Sequence, residues 1–217
     1  MMERETASRP VRIALTKGRL EKVTVDLFER MGLDCSELRD KGRRLILGIP
    51  GTNFEVVLAK AADVITYIEN GVCDIGVVGK DTILEYGGSF FEVADLGFGR
   101  CKFALASRRG MDFYSGYAEK TIATKYPNVA RTFFEKKGMD VRIVKIEGSV
   151  ELAPLLGLSD AIVDIVETGT TLKENGLEVI EDVAPVSARL IVNTVSLKLH
   201  QREIEALIEQ IEQNLQG

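Results

Sequence analysis

Asp160-Ala161-Ile162-Val163-Asp164-Ile165-Val166-Glu167-Thr168-Gly169-Thr170-Thr171-Leu172 reads as a strand, a small-residue loop and the start of a helix. The run Ala161 to Val166 is apolar enough for a strand buried on both faces, as in a parallel sheet. Asp164 interrupts it, and a carboxylate buried there without a partner is costly. The loop Thr168 to Thr171 offers backbone N–H groups and three hydroxyls close to a helix N-terminus, which is a cradle for phosphate. It lacks the GK[ST] of a Walker A loop and is not a GxGxxG dinucleotide loop. Acids beside such a cradle suit a sugar phosphate. The loop takes the phosphate, and Asp164 or Glu167 accepts from ribose hydroxyls. A polar turn capping a helix, with Asp164 hydrogen-bonded inside, explains the same residues equally well.

The strand–loop–helix grammar recurs upstream. Val11 to Leu15 is a short strand, followed by the basic loop Thr16-Lys17-Gly18-Arg19. Leu20, Val23, Leu27 and Met31 then recur at helical spacing, and Gly32 ends the pattern. Arg44 to Ile49 and Phe54 to Ala59 are strand-like, separated by the turn Pro50-Gly51-Thr52-Asn53. Ala61 to Asn70 is a predicted helix, and Asp74 to Val78 a buried strand before Gly79-Lys80-Asp81. Cys101 to Ser107 is a further strand, and Arg108 to Lys120 a connection.

The second half then repeats the first. Ile13-Ala14-Leu15-Thr16-Lys17, Phe28-Glu29 and Gly32-Leu33-Asp34 find counterparts in Ile122-Ala123-Thr124-Lys125, Phe134-Glu135 and Gly138-Met139-Asp140. Gly71-Val72-Cys73-Asp74 with its strand matches Gly157-Leu158-Ser159-Asp160 with its strand. Two such series in one order predict an α/β fold of two similar lobes. Ligand-binding loops are expected at the carboxyl ends of parallel strands, lining a cleft between the lobes. Residues 1–10 are expected to be a disordered N-terminal arm. Residues 11–100 with 185–217 form lobe I, and 101–184 form lobe II. The final segment, Gln201 to Leu215, carries Ile204, Leu207, Ile208, Ile211 and Leu215 on one helical face, most simply core packing.

Composition narrows the chemistry. The 217 residues are 45% hydrophobic and 28% charged, ordinary for a globular protein. The net charge of −5 leaves no global basic footprint for nucleic acid. No apolar run approaches the ~18 residues of a membrane span, and Met1 to Pro10 has no signal-peptide core, so a cytoplasmic location is expected. Cys35, Cys73 and Cys101 make no CxxC or zinc spacing and read as reduced, half-buried thiols. The single histidine, His200, excludes a multi-histidine metal site, and no GxSxG elbow accompanies it. Lys17 and Arg19 around Gly18 suit nucleotide or pyrophosphate oxygens but also a solvated loop. Gly148-Ser149 is either a second anion-binding helix start or a plain N-cap.

Several segments resemble the ATP phosphoribosyltransferase family. They are Val11-Arg-Ile-Ala-Leu-Thr-Lys17-Gly-Arg19-Leu, Gly71-Val-Cys-Asp-Ile-Gly-Val-Val-Gly79-Lys80-Asp81, Ala123-Thr-Lys-Tyr-Pro127 and Gly148-Ser149-Val-Glu-Leu-Ala-Pro154-Leu. The segment Asp160 to Leu172 with Asn175-Gly176-Leu, and Ser187-Ala-Arg189-Leu-Ile-Val-Asn193, complete the set, spanning about residues 11 to 197 in order. The resemblance implies a two-lobed fold like type II periplasmic binding proteins, and the short form of the enzyme. It implies transfer of the phosphoribosyl group of phosphoribosyl pyrophosphate to N1 of the adenine of ATP, with Mg²⁺ carried on the pyrophosphate. Implied partners are a second copy, giving a homodimer, and a regulatory subunit similar to histidyl-tRNA synthetase, giving a hetero-octamer. Neither nucleic acid nor a membrane is implied.

By the same resemblance, Thr168, Gly169, Thr170 and Thr171 serve the 5′-phosphate, and Asp164 and Glu167 serve the ribose. Gly148 and Ser149 join the substrate site. Lys17, Arg19 and Lys60 serve ATP or the leaving pyrophosphate, and Arg43 is a second phosphate contact. Lys60 and Arg43 are the expected catalytic pair. The family usually has Arg and a Pro-containing stretch where this chain has Lys60-Ala61-Ala62-Asp63-Val64-Ile65. Lysine keeps the charge and loses the planar fork. A solute-binding protein without catalysis is the competing reading, since similar lobes host both functions.

Overall fold

A computed structural model describes residues 9–215. In chain order the elements are β1 (Val11–Thr16), α1 (Arg19–Arg30), α2 (Ser36–Arg39), β2 (Ile46–Gly48), β3 (Phe54–Ala59), α3 (Ala61–Glu69), β4 (Ile75–Gly79), α4 (Lys80–Tyr86), β5 (Phe90–Asp95) and β6 (Cys101–Arg108). They continue as β7 (Lys120–Thr124), α5 (Pro127–Lys136), β8 (Val141–Lys145), α6 (Leu152–Leu155), β9 (Ala161–Val166), α7 (Thr170–Glu174), β10 (Leu177–Val186), β11 (Ala188–Asn193), α8 (Ser196–Leu199) and α9 (Gln201–Leu215).

Two mixed sheets result. One runs β2-β3-β1-β4-β11-β5, the other β10-β6-β9-β7-β8. In the first, β3, β1 and β4 are parallel and β11 is antiparallel to β4. In the second, β8, β7 and β9 are parallel and β6 is antiparallel to β9. The frames therefore match strand for strand, β3-β1-β4-β11 against β8-β7-β9-β6.

The repeat is written in hydrogen bonds as well. Asp74 donates its N–H to Arg12 O at 2.9 Å and accepts the Arg12 N–H at 2.8 Å. Asp160 does the same with Thr121, at 2.8 and 2.7 Å. The Thr16 hydroxyl donates to Val77 O at 2.9 Å, and the Thr124 hydroxyl to Val163 O at 2.6 Å. After α1, Gly32 N–H bonds Glu29 O and Leu33 N–H bonds Phe28 O. After α5, Gly138 N–H bonds Glu135 O and Met139 N–H bonds Phe134 O. Both glycines have positive φ, 83° and 65°, the conformation that lets a helix end and reverse.

The chain divides into two compact units: the first holds residues up to Gly79, Gly88–Phe98 and Ala188 onward, the second Lys80–Gly87 and Gly99–Ser187. The expected assignment of 80–87 to lobe I is thereby corrected, as are 99–100 and 185–187. The cause is Glu85 on α4, whose carboxylate accepts the N–H groups of Asn128 and Val129 at 3.0 and 3.1 Å, capping α5. Of the expected disordered arm, Met1 to Ser8 lies outside the described residues. Arg9 is held by Asp74 at 2.7 Å, so the arm does not extend to it.

Each unit has its own core. The first is built on Ile13, Leu15, Phe28, Val56, Ile75, Val77 and Val192, with Ile204, Leu207 and Ile211 of α9 packed into it. The α9 stripe is core packing, as its periodicity suggested. The second is built on Phe103, Leu105, Ile122, Phe134, Ala161 and Val163, with a smaller cluster around Ala123, Ile162 and Leu172 on the other face of the sheet. Cys35 and Cys73 are fully buried instead of half-buried, and burial pushes each thiol up to about 11. The strand expected over Arg44 to Ile49 shortens to three residues. Arg44 is tied to Glu37 at 2.9 Å and to Asp40 O at 2.8 Å, which keeps it in the preceding turn.

Gly76 in β4 shows how tightly the first unit is packed. A Cβ there would lie 2.9 Å from Val64 and 3.0 Å from both Ile191 and Ile68. Gly76→Ala is expected to cost about 1–3 kcal/mol by overpacking, visible as a lower urea midpoint at unchanged m-value.

Candidate active site

The carboxyl ends of the parallel strands carry the residues singled out above. In the second unit, β9 ends at Val166, Glu167 follows it, and Gly169 in the left-handed conformation (φ 76°) turns the chain into α7. The hydroxyls of Thr168 and Thr170 lie 3.0 Å apart, and Thr170 N–H reaches Thr168 Oγ1 at 3.4 Å. Glu167, Thr168, Thr170 and Thr171 are all exposed, and Gly169 between them is half-buried. Together with Asp164 and Glu151 they line a cavity of about 310 Å³.

Asp164 stands out against the repeat. Thr16 and Thr124 mark Val77 and Val163 as equivalent, so Asp164 occupies the place of Val78, which is fully buried. The frame is satisfied by valine there; the acid is an addition to it. Burial pushes the Asp164 carboxyl above its ordinary range, Ile165 N–H opposes this, Glu151 adds to it and Lys125 again opposes. Asp81 on α4 is raised in the same way, by burial first, with Tyr126 Oη 3.5 Å from its Oδ2. Two half-buried carboxyls of raised pKa in one small unit mark a functional site more strongly than either alone.

Gly148 and Ser149 are exposed and precede α6, which starts only at Leu152. Ser149 offers its carbonyl to Leu152 N–H at 3.3 Å and is not the cap. Both readings of this pair as a helix start are corrected, because Pro154 and Gly157 limit α6 to four residues. They sit beyond β8 and do not line the cavity at Asp164.

In the first unit, Lys17 N–H bonds Ala59 O at 2.9 Å, which brings the β1 loop beside Lys60, the residue capping α3 in extended conformation. Arg19 begins α1. Lys17 and Arg43 line a pocket of about 360 Å³ together with Lys22, Lys41 and Arg44. Glu21, buried beneath, pairs with Lys41 and accepts the Gly18 N–H at 3.2 Å. Only Arg43 of that basic run was singled out from sequence. The run Lys41-Gly-Arg-Arg was visible, but what gathers it around Lys17 is the α2–β2 turn. Glu151 was likewise missed, although it lies in the Gly148–Leu155 segment quoted above, because only Gly148 and Ser149 of that segment were read chemically. The predicted site residues thus fall into two groups, one per unit: Lys17, Arg19, Arg43 and Lys60, and then Gly148, Ser149, Asp164, Glu167 and Thr168 to Thr171.

Among the described residues no three His, Cys, Asp or Glu come together as a metal site. No described helix is long and apolar enough to cross a membrane.

A sequence model described as ATP phosphoribosyltransferase matches residues 60–213. An ATP phosphoribosyltransferase from Clostridium kluyveri is 60% identical over 204 residues, 94% of this chain and 93% of that protein. One from Clostridium acetobutylicum is 57% identical over 94% of this chain and 95% of that protein. The chain belongs to the ATP phosphoribosyltransferase family. Its activity is that of a pentosyltransferase, within the glycosyltransferases, at the first step of histidine biosynthesis. Among solved structures, the ATP phosphoribosyl transferase (HisG:HisZ) complex from Thermotoga maritima matches with a TM-score of 0.81 and 33% identity, covering 95% of this chain and 98% of that one. The periplasmic aliphatic sulphonate binding protein SsuA from Escherichia coli matches at 12% identity with a TM-score of 0.62, over 96% of this chain and 73% of that one. That likeness is one of fold, the two-lobed type II binding-protein fold. It gives the competing solute-binding reading no support at the level of function.

Proposed function

We propose that the second unit holds the phosphoribosyl pyrophosphate and that transfer occurs to N1 of the adenine of ATP, with pyrophosphate leaving. What supports this most is the single cavity that joins the Thr168–Thr171 loop to an acid the repeat does not require, Asp164. The loop takes the 5′-phosphate, and Asp164 and Glu167 accept from the ribose hydroxyls. Lys17, Arg19, Arg43 and Lys60 offer cations at the strand ends of the first unit for the anionic parts of ATP or pyrophosphate. The adenine N1 lone pair is free at neutral pH, so no strong base is needed. Positive charge develops at the ribose and negative charge on the leaving group, and both are met by fixed groups. One histidine is therefore enough: His200 is buried beside α8 and plays no part.

The acids Asp164, Glu167 and Glu151 at one cavity are too few to cage an ion among the described residues and fit a hard cation held mostly by substrate oxygens. Magnesium, carried with the pyrophosphate, supplies neutralisation of the leaving group when bound. We further propose a cytoplasmic short-form enzyme, a homodimer that assembles with a histidyl-tRNA-synthetase-like regulatory subunit into a hetero-octamer. The likeness to the HisG:HisZ complex from Thermotoga maritima supports a partner of this kind.

The test is formation of phosphoribosyl-ATP from ATP, phosphoribosyl pyrophosphate and Mg²⁺, followed by mass spectrometry with and without such a subunit. No product in either mixture, from folded protein, returns the reading to solute binding. The double variant Thr168→Val, Thr170→Val is expected to raise KM for phosphoribosyl pyrophosphate roughly 10–100-fold, two hydrogen bonds at about 1 kcal/mol or more each. KM for ATP should stay within about twofold. An unchanged KM for phosphoribosyl pyrophosphate would remove the loop from the site.

A further inference from the structure

The segment Ile122-Ala123-Thr124-Lys125-Tyr126-Pro127 has no role in the assignments above, yet its geometry is closely fixed. Thr124 is fully buried. Its hydroxyl donates to Val163 O at 2.6 Å and accepts the N–H of Tyr126 at 2.9 Å. This clamp sets Lys125 at the carboxyl end of β7, beside the Val163–Asp164 step of β9. The Tyr126 ring turns inward, edge-on to Phe103 at 4.8 Å, and carries its hydroxyl to Asp81. Lys125 is left exposed at the turn and makes no hydrogen bond or ion pair among the described residues. Its charge nevertheless acts on three carboxylates, Asp164, Asp81 and Glu147.

The first unit contains the strand-to-strand half of this device, while the Gly18 N–H goes to Glu21 and not to Thr16. Thr16 clamps to Val77 O and is followed by Lys17, an exposed lysine on a basic pocket. A threonine clamp that presents a lysine at the end of the leading strand thus occurs twice. In the second unit it stands among acids. Glu147 is already paired with Lys145 at 2.7 Å, which leaves Asp164 and Asp81. An edge with these two carboxylates repels a polyanion unless a cation offsets them, and an ammonium that pairs with neither stays available to a ligand.

We infer that Lys125 is a further substrate-contacting residue, its ammonium taking an oxygen of the pyrophosphate group that leaves. The inference rests on the proposed seating of the ribose phosphate in the same unit. The Thr168–Thr171 loop leaves β9 and accounts for the 5′-phosphate, and Asp164 accounts for the ribose hydroxyls. Lys125 comes from the neighbouring strand, β7, and is a cation for the remaining anion, the group on C1.

The experiment uses the full chain and two probes with Mg²⁺, inorganic pyrophosphate and ribose 5-phosphate, titrated calorimetrically against Lys125→Met and Lys125→Arg. Lys125→Met is expected to weaken pyrophosphate at least about tenfold and ribose 5-phosphate less than about twofold. It should lower kcat at least about tenfold, with Lys125→Arg recovering most of both losses. Wild-type affinity for pyrophosphate in Lys125→Met would overturn the inference, and so would equal weakening of both probes, which would mean that the lysine acts through Asp164 or the fold. The Thr168→Val, Thr170→Val protein separates the two proposals. Unchanged ribose 5-phosphate affinity there removes the seating of the sugar phosphate, whereas the pyrophosphate result in Lys125→Met speaks for Lys125 alone.

Discussion

Asp164→Asn is expected to lower kcat/KM for phosphoribosyl pyrophosphate on the order of 100-fold, about 2.7 kcal/mol of transition-state stabilisation, while making the folded protein more stable. The two effects have one origin. The frame accepts valine at the equivalent position, Val78, so the carboxylate has no structural duty there. Burial raises its pKa, so the folded state binds the proton more tightly than the unfolded chain does. The sign of the linkage follows. Below the ordinary carboxylate range near pH 4 the group is neutral in both states and there is no penalty. As pH rises through the folded pKa the penalty grows, and at neutral pH it is complete. Asparagine removes it, with an expected gain of about 1 kcal/mol, roughly 2–4 °C in Tm. The gain should vanish as pH is lowered towards 4. Thermal melts at pH 7.5 and 4.5 beside steady-state kinetics check this. A variant of full activity would take Asp164 out of the site. A less stable one would show that the carboxylate is needed by the fold.

The opposite sign is expected at Asp74. Its side chain is fully buried and accepts four hydrogen bonds: from Arg9 at 2.7 and 2.8 Å, Arg12 N–H at 2.8 Å and Ser196 Oγ at 2.6 Å. Burial pushes the carboxyl up, but these donors outweigh it and hold the pKa below its usual value. Asp74→Ala leaves a buried N–H and hydroxyl without partners and releases Arg9. The expected cost is about 3–5 kcal/mol, roughly 10 °C in Tm for a chain of this size. A depressed carboxylate contributes stability that is present above its unfolded pKa and lost as pH falls through the folded one. The difference between Asp74→Ala and the parent should therefore be full at pH 7 and shrink only below about pH 4. Urea titrations at several pH values measure it. A cost under about 1 kcal/mol would mean that Arg9 and Ser196 find water as readily as they find Asp74.

The threonine clamps and aspartate bridges showed only as repeated residues, their partners lying 39 to 62 positions away, whereas the glycine-ended helices were legible in the matching segments because they depend on residues close in sequence. The Asp164–Thr171 segment was legible for the same reason: strand, acid, loop and helix follow one another directly. The helix start proposed at Gly148-Ser149 failed because a cap signal says nothing of where the helix behind it can begin. Pro154 and Gly157 decided that. The basic pocket around Lys17 was only half-legible, since Lys41 and Arg44 reach it through a turn whose direction no periodicity encodes.

By itself, then, the sequence determined the alternation of strands and helices, its duplication and the chemistry of the strand-end loops, all of which follow from hydrophobic period and the φ demands of glycine. The tertiary structure alone decided that α4 joins the second unit through Glu85 and α5, that Arg9 neutralises Asp74 across 65 residues, and that Lys125 stands beside Asp164. Those pairings depend on strand order, and strand order is set by which buried faces and hydrogen-bond edges satisfy one another at a distance, information that no local window contains.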